Sequence, residues 1–174
     1  ADINSELINA LKEIKINKGL RDQLIQLPNT ADEYYRLRCI DPSPLSNTDK
    51  AIRFLYLNRF CFNGVYRTNL AGQFNVPRGT RTGGFPPQVA FDNARLKLKN
   101  AILKVSDYTA TLEQSEENDF VYIDPPYAKS DKFTGEYGIG SFNATDIPKF
   151  IAILDSLDDR GVKFLFSYRA CKDT

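Results

Sequence analysis

The chain contains no histidine. That removes the commonest general base and every triad built on a Ser-His or Cys-His pair. Its cysteines, Cys39, Cys61 and Cys171, are odd in number and widely scattered, which suits free thiols in a reducing cytoplasm better than a disulfide framework. Without histidine beside them they make a zinc site improbable, and no metal is expected. No apolar run approaches the ~18 residues that suggest a membrane span, and no signal-peptide pattern opens the chain at Ala1-Asp2-Ile3-Asn4. No membrane partner is expected. Chemistry here has to run on carboxylates, amides, hydroxyls, aromatic rings and a bound cofactor.

The remaining composition is that of a soluble globular protein, 42% hydrophobic and 26% charged over 174 residues. This length fits one domain with a real core and room for an inserted subdomain. The formal net charge of +1 hides a strong asymmetry. Residues 1–49 carry a net of −2, residues 50–104 a net of +9, and residues 105–174 a net of −6. A basic block inside an acidic chain is expected where a nucleic-acid backbone is gripped, although charge alone also fits a solvated basic face.

Hydrophobic periodicity predicts a helix over residues 6–15, capped by Asn4 or Ser5, with Leu7, Ile8, Leu11 and Ile14 on one face. Further helices are expected over 31–37, over 49–58 with Thr48 as cap, over 89–101, and over 146–157 behind Thr145. The last should turn Ile147, Phe150, Ile151 and Leu154 inward. Residues 66–76 read as a hairpin turning near Leu70 to Gly72, followed by a loop rich in Gly, Pro and Arg over 77–87. Apolar runs at 101–105, 120–123 and 162–166 read as buried strands. Strands alternating with helices argue for an α/β fold with a mostly parallel sheet, interrupted over 30–90 by a helical and hairpin insertion. Asp2, Asp107 and Asp124 recur where strands would end. Carboxylates along the carboxyl edge of such a sheet suit a nucleoside-like cofactor, one accepting from ribose hydroxyls and another lying near a base.

The most informative residues are Asp124-Pro125-Pro126-Tyr127, coming directly off the apolar run 120–123. The prolines end the strand and stiffen the backbone beyond it. They hold a carboxylate and an aromatic ring at the carboxyl end of a core strand, which suits a planar substrate bearing an amino group. A plain strand-ending turn has the same residue preferences, so the context has to decide.

That context resembles the Dam-like DNA adenine-N6 methyltransferases, which use S-adenosylmethionine. Asp124-Pro125-Pro126-Tyr127 is similar to the catalytic motif of that family. Phe54-Leu55-Tyr56-Leu57-Asn58-Arg59 with Phe62-Asn63-Gly64, Tyr66-Arg67, Gly72 and Phe74-Asn75-Val76-Pro77 resembles its recognition-lobe signature. Asp2-Ile3-Asn4 resembles the ribose motif, and Asp107-Tyr108 the motif beside the cofactor adenine. Phe133-Thr134, Tyr137 and Phe142 resemble its post-catalytic segment. The resemblance implies a Rossmann-like methyltransferase sheet formed by 1–29 and 88–174, with an inserted helical and β-hairpin DNA-recognition lobe at 30–87. It implies catalysis by Asp124, Pro125, Pro126 and Tyr127, and cofactor binding by Asp2, Ile3, Asp107, Tyr108 and Asp124. Double-stranded DNA would meet Arg59, Arg67, Asn69, Gln73, Asn75, Arg78 and Arg81, with GATC as the target. The enzyme would be cytoplasmic, prokaryotic or phage-encoded, and a monomer or weak dimer.

Two departures qualify the match. The glycine-rich cofactor loop of the family, with a lysine-bearing motif, would precede Asp2, and Gly138-Ile139-Gly140 lies on the wrong side of the catalytic motif to replace it. The chain also stops soon after the run at 162–166, so an internal portion of a longer enzyme is expected. Thr68 and Arg78 stand where aromatic residues are frequent. The alternatives are an RNA-base or protein-glutamine methyltransferase, whose relatives more often carry Asn-Pro-Pro-Tyr and lack the hairpin lobe, and a non-catalytic DNA-binding fragment.

Overall fold

Asn4 begins the first helix as its sequence position suggests: its Oδ1 accepts the Leu7 N–H at 3.1 Å, satisfying one of the orphan donors of a helix start. The structure, a computed structural model, describes residues 1–124 and 146–167. It divides into two compact units, one of Ala1–Tyr66 with Gln73–Ser106, the other of Arg67–Gly72 with Asp107–Thr174.

In the first unit, α1 (Ser5–Ile16), α2 (Leu20–Ile25), α3 (Ala31–Cys39) and α4 (Asn47–Phe60) precede a 3-10 turn at Phe62–Gly64 and α5 (Gln88–Leu98). Helix α4 packs against α1, α2 and α3, and α5 packs on α1. The cap of α4 is Ser46 rather than the expected Thr48. Ser46 Oγ accepts the Asp49 N–H (3.1 Å) and donates to Asp49 Oδ2 (2.6 Å). Thr48 instead lies inside the first turn, where its hydroxyl donates to the buried Glu13 carboxylate at 2.9 Å. Helix α2 has no counterpart in the sequence reading, because six residues are too few to display a period. It is held by burial of Leu20 and Leu24, which meet one turn apart on the same face. Residues 101–105 form no strand. Val105 makes only a single parallel bridge, to Asp2.

One core joins Leu20 and Leu24 of α2, Tyr34 and Leu37 of α3, and Phe54, Tyr56, Leu57 and Phe60 of α4 to Phe74, Val76 and Phe91. The segment 30–87 therefore shares its core with α1, α2 and α5. Three buried polar side chains of this core, Tyr34, Tyr56 and Arg53, are matched. Tyr34 donates to the Val76 carbonyl (3.0 Å) and Tyr56 to the Pro28 carbonyl (2.7 Å). Arg53, 3% exposed, donates through Nε to the Leu37 carbonyl (3.0 Å), through Nη2 to Arg38 (3.4 Å), and through Nη1 to Glu6 Oε1 (2.9 Å). The two carbonyls belong to the last turn of α3, beyond the reach of its i→i−4 ladder, although Leu37 also accepts the Ile40 N–H at 3.4 Å.

The second unit contains α6 (Tyr108–Glu113), β1 (Phe120–Ile123), α7 (Ile147–Asp159) and β2 (Lys163–Phe166). The strands are parallel, Phe120 facing Lys163 and Ile123 facing Phe166. Leu112, Ile123, Phe150, Leu157 and Val162 form its core, with Ile153 and Leu154 packed against it. Ile151, expected inside, is exposed; the true apolar stripe of α7 runs through Phe150, Ile153, Leu154 and Leu157. Thr145, the expected cap, lies outside the described residues, and Asp146 precedes the helix without a side-chain cap bond. Gly161, at φ +70°, reverses the chain after α7 so that Val162 N–H reaches the Leu157 carbonyl at 2.9 Å.

Removing the buried Arg53 guanidinium leaves Glu6 without its counter-charge and takes a donor from the end of α3. Arg53→Ala is expected to lower unfolding stability by about 3–5 kcal/mol, read as a shift of the urea midpoint. Adding Glu6→Gln should recover part of the loss, since it removes the stranded charge.

Candidate active site and nucleic-acid interface

Ile123 is buried and ends the β1 ladder, with its carbonyl accepting the Ser167 N–H at 2.9 Å. Asp124 is the next residue and is exposed, so its carboxylate stands at the carboxyl end of two parallel strands. Open parallel sheets bind ligands at this edge. Pro125, Pro126 and Tyr127, with the post-catalytic Phe133, Thr134, Tyr137 and Phe142, lie outside the described residues.

In the same unit Asp107 starts α6. Its Oδ1 accepts the Thr109 N–H at 2.8 Å, and its carbonyl accepts the Thr111 N–H at 3.1 Å. This is a helix cap, where the sequence suggested a strand end. Tyr108 is the first helical residue, its ring 5.8 Å from Phe150. In the first unit, Asp2 N–H donates to the Lys104 carbonyl (3.2 Å) and the Asp2 carbonyl accepts from Ser106 (3.1 Å). Its Oδ1 accepts the Asn4 N–H at 2.7 Å, so the carboxylate is fixed immediately before α1. Ile3 beside it is exposed. Carboxylates held in this way are acceptors, and they match the hydroxyl and amino donors of an adenosyl group.

The turn at Asn69 is built as its residues demand. Asn69 Oδ1 accepts the Ala71 N–H (3.0 Å), its carbonyl accepts from Gly72 (2.9 Å), and Gly72 takes φ +76°. Leu70 at its tip is 90% exposed. No strand flanks this turn, so the expected hairpin is reduced to a turn between two short arms, each with a single bridge residue, Thr68 and Phe74. Arg67 and Gln73 are exposed on those arms, and Asn75 is half-buried.

The loop 77–87 is held closely. Phe62 N–H donates to the Pro77 carbonyl (2.9 Å) and Gly79 N–H to Phe60 (2.8 Å), pairing Arg78 with Cys61. A Cβ on residue 79 would lie 2.7 Å from the Cys61 carbonyl oxygen, so only glycine permits this approach. Arg59 donates to the Gly84 carbonyl and Arg21 Nε to Pro86 (2.8 Å). Burial, and secondarily the nearby Arg81 charge, push the Arg59 pKa down. Arg59 and Arg81 line a cavity of about 470 Å³ with Ile14, Leu55, Phe85 and Phe91. Arg81 itself is exposed, while Arg78 turns inward to Asn29.

Sequence reasoning missed Asn29 and Arg21, whose side chains hold this loop from 49 to 65 residues away in the chain. Leu27-Pro28-Asn29-Thr30 carries only the signature of a turn. Arg53 and Arg95 were counted in the basic block, yet Arg53 is buried, and Arg95 binds Asp92 (2.6 Å) and the Asn17 carbonyl (3.1 Å).

A family model for the D12 class N6 adenine-specific DNA methyltransferases matches residues 1–174. The chain belongs to that family. It is 32% identical to the DNA adenine methylase of Salmonella typhi over 180 residues, covering 96% of this chain and 63% of that protein. Identity to the DNA adenine methylase of Escherichia coli (strain K12) is 31% over 175 residues, with the same 96% and 63% coverage. The type II methyltransferase M.MjaIII of Methanocaldococcus jannaschii is 32% identical over 188 residues, again at 96% and 63%. The chain thus spans just under two thirds of the length of these methylases. In this member of the family, Tyr66 is tied to α1, its hydroxyl donating to Glu6 Oε2 at 3.2 Å.

Burial, reinforced by the Glu6 charge and hydrogen bond, pushes the Tyr66 phenol up to about 12. A raised phenol favours the protonated form in the fold. Its contribution to stability is complete below ~10, the unfolded value, and is lost as the pH rises from there through about 12. The stability advantage of the chain over Tyr66→Phe should therefore shrink across that window, measured by urea unfolding at stepped pH. An advantage that grew with pH would contradict it.

Proposed function

We propose that this chain carries the catalytic motif and DNA-recognition segment of an enzyme that methylates adenine N6 in duplex DNA. The methyl donor is S-adenosylmethionine, which supplies an electrophilic methyl group. The observation that carries this reading is the position of Asp124: exposed, immediately past a buried residue of a parallel strand, with Pro125-Pro126-Tyr127 next to it in the sequence of a chain of this family.

Adenine N6 is a poor nucleophile because its lone pair is delocalised into the ring, and in a duplex it is stacked out of reach, so the base is flipped. Asp124 and the Pro125 carbonyl accept the two N6 hydrogens, drawing the nitrogen toward tetrahedral geometry and freeing the lone pair. Tyr127 stacks on the flipped ring. Fixed acceptors also stabilise the positive charge that grows on N6. Pro126 keeps the segment stiff. On the cofactor side, Asp2 with Ile3 would hold the ribose hydroxyls, and Asp107 with Tyr108 would hold the adenine end.

Residues 30–87 carry DNA recognition on the core they share with α1, α2 and α5, while 1–29 and 88–174 form the methyltransferase part. Arg67, Asn69, Gln73 and Asn75 reach base edges or phosphates beside the turn, and Arg81 does so from the loop after it. Arginine pairs with guanine and amides with adenine in the major groove. Arg59 and Arg78 face the same loop from its inner side. The target is GATC, and the enzyme acts as a monomer or weak dimer. The free thiols Cys39 and Cys61 are consistent with a reducing compartment.

Tritiated methyl transfer to duplex DNA by the complete gene product tests the chemistry. Asp124→Ala should lower the rate by at least ~100-fold with the melting temperature unchanged; a variant near wild-type rate would refute the role of Asp124. Target choice is tested on duplexes differing from GATC at single positions. Rates should fall at every altered base, each lost contact costing about 1–3 kcal/mol. Equal rates across the panel would rule out GATC.

A further inference from the structure

Arg78 lies in the basic block, yet its Nη2 donates inward to Asn29, to Oδ1 at 2.8 Å and to the carbonyl at 3.3 Å. Its Nε is buried and meets no hydrogen-bond partner. The Asn29 amide then reaches the other way, Nδ2 donating to the Arg81 carbonyl (3.3 Å) and the Thr82 carbonyl (3.4 Å). Each group orients the other. With Oδ1 engaged by a guanidinium, the amide plane is set so that the NH2 group meets the carbonyls on either side of Thr82, the first of them that of Arg81. Asn29 itself sits on the short linker between α2 and α3, anchored by the Pro28 carbonyl that accepts from the buried Tyr56.

We infer that Asn29 and Arg78 form one clamp that positions the loop at Arg81 for DNA, and that Arg78 is a positioning residue that makes no contact with DNA. The inference rests on the DNA reading given above. A loop already held in its bound shape loses less conformational freedom when DNA arrives. The exposed Arg81 side chain is then presented from a backbone tied immediately on the carboxyl side of its Cα.

Two measurements on the chain itself decide this, with Asn29→Ala, Arg78→Ala and the double variant. The first is the rate of tryptic cleavage at the Arg81–Thr82 bond, followed by mass spectrometry without DNA. Both single variants should accelerate it several-fold, and the double variant should add nothing further, because either change opens the same clamp. Cleavage at the wild-type rate in either single variant overturns the clamp.

The second is binding to a GATC duplex by fluorescence anisotropy over a range of salt concentrations. Each variant should weaken binding by about 5–10-fold, with the double variant no weaker than the singles and the salt slope unchanged. An Arg78→Ala slope lower by about one, with losses that multiply in the double variant, would make Arg78 a direct phosphate contact and overturn the inference. A wild-type chain that binds no duplex would sink the DNA reading, while the cleavage rates still judge the clamp. Should Arg78→Ala fail to fold, Arg78→Gln keeps the aliphatic stem and takes its place.

Discussion

The first unit depends on one buried cation. Arg53 reaches from the middle of α4 to the last-turn carbonyls of α3 and to Glu6 at the start of α1. A charge this deep is costly to desolvate, and it is tolerated because carbonyls and a carboxylate surround the planar guanidinium. The same carboxylate accepts from Tyr66, so the segment entering the turn is tied to the helix that begins just after Asp2. Within the first unit, Tyr66 and Arg53 thus share one anchor on the helix that follows Asp2.

Arginine at the end of a helix recurs. Arg95 binds the Asn17 carbonyl beyond α1. Arg160 donates to the carbonyls of Leu112 (3.0 Å), Glu113 (3.2 Å) and Ser115 (2.8 Å), closing the end of α6 against α7. Helix C-termini carry unsatisfied carbonyls and partial negative charge, and a forked cation answers both. Part of the basic excess in 50–104 is therefore structural. Arg53 and Arg95 serve helices, and Arg59 and Arg78 hold backbone or amide oxygens near the loop.

The loop at 77–87 has little regular structure, yet its backbone oxygens are gripped by Asn29, Arg59 and Arg21. Its entry is pressed against residues 61–62 so closely that Gly79 has no room for a side chain. Such anchoring lets a loop present charged side chains with a defined geometry, as a recognition surface requires. In the second unit the corresponding constraint is the parallel ladder, which places Asp124 just beyond a buried Ile123.

Much of this was legible in the sequence wherever local physics dominates. The Asn4 cap, the helices containing 6–15 and 31–37, the strand at 120–123, the turn at Asn69 and the position of Asp124 at a strand end come from capping, periodicity and turn chemistry over a few residues. Family membership was legible too, because its motifs occur in order along the chain. Where several hydroxyls or apolar residues compete, neighbouring contacts chose: Ser46 over Thr48 as cap, and Ile153 over Ile151 as the inward residue. The short α2 and the single bridge at Val105 were also decided by packing. Which arginines face solvent and which are consumed by carbonyls was beyond sequence reasoning, since a guanidinium has the same charge in either place. Its partners lie tens of residues away, and only the tertiary fold brings them within hydrogen-bonding distance.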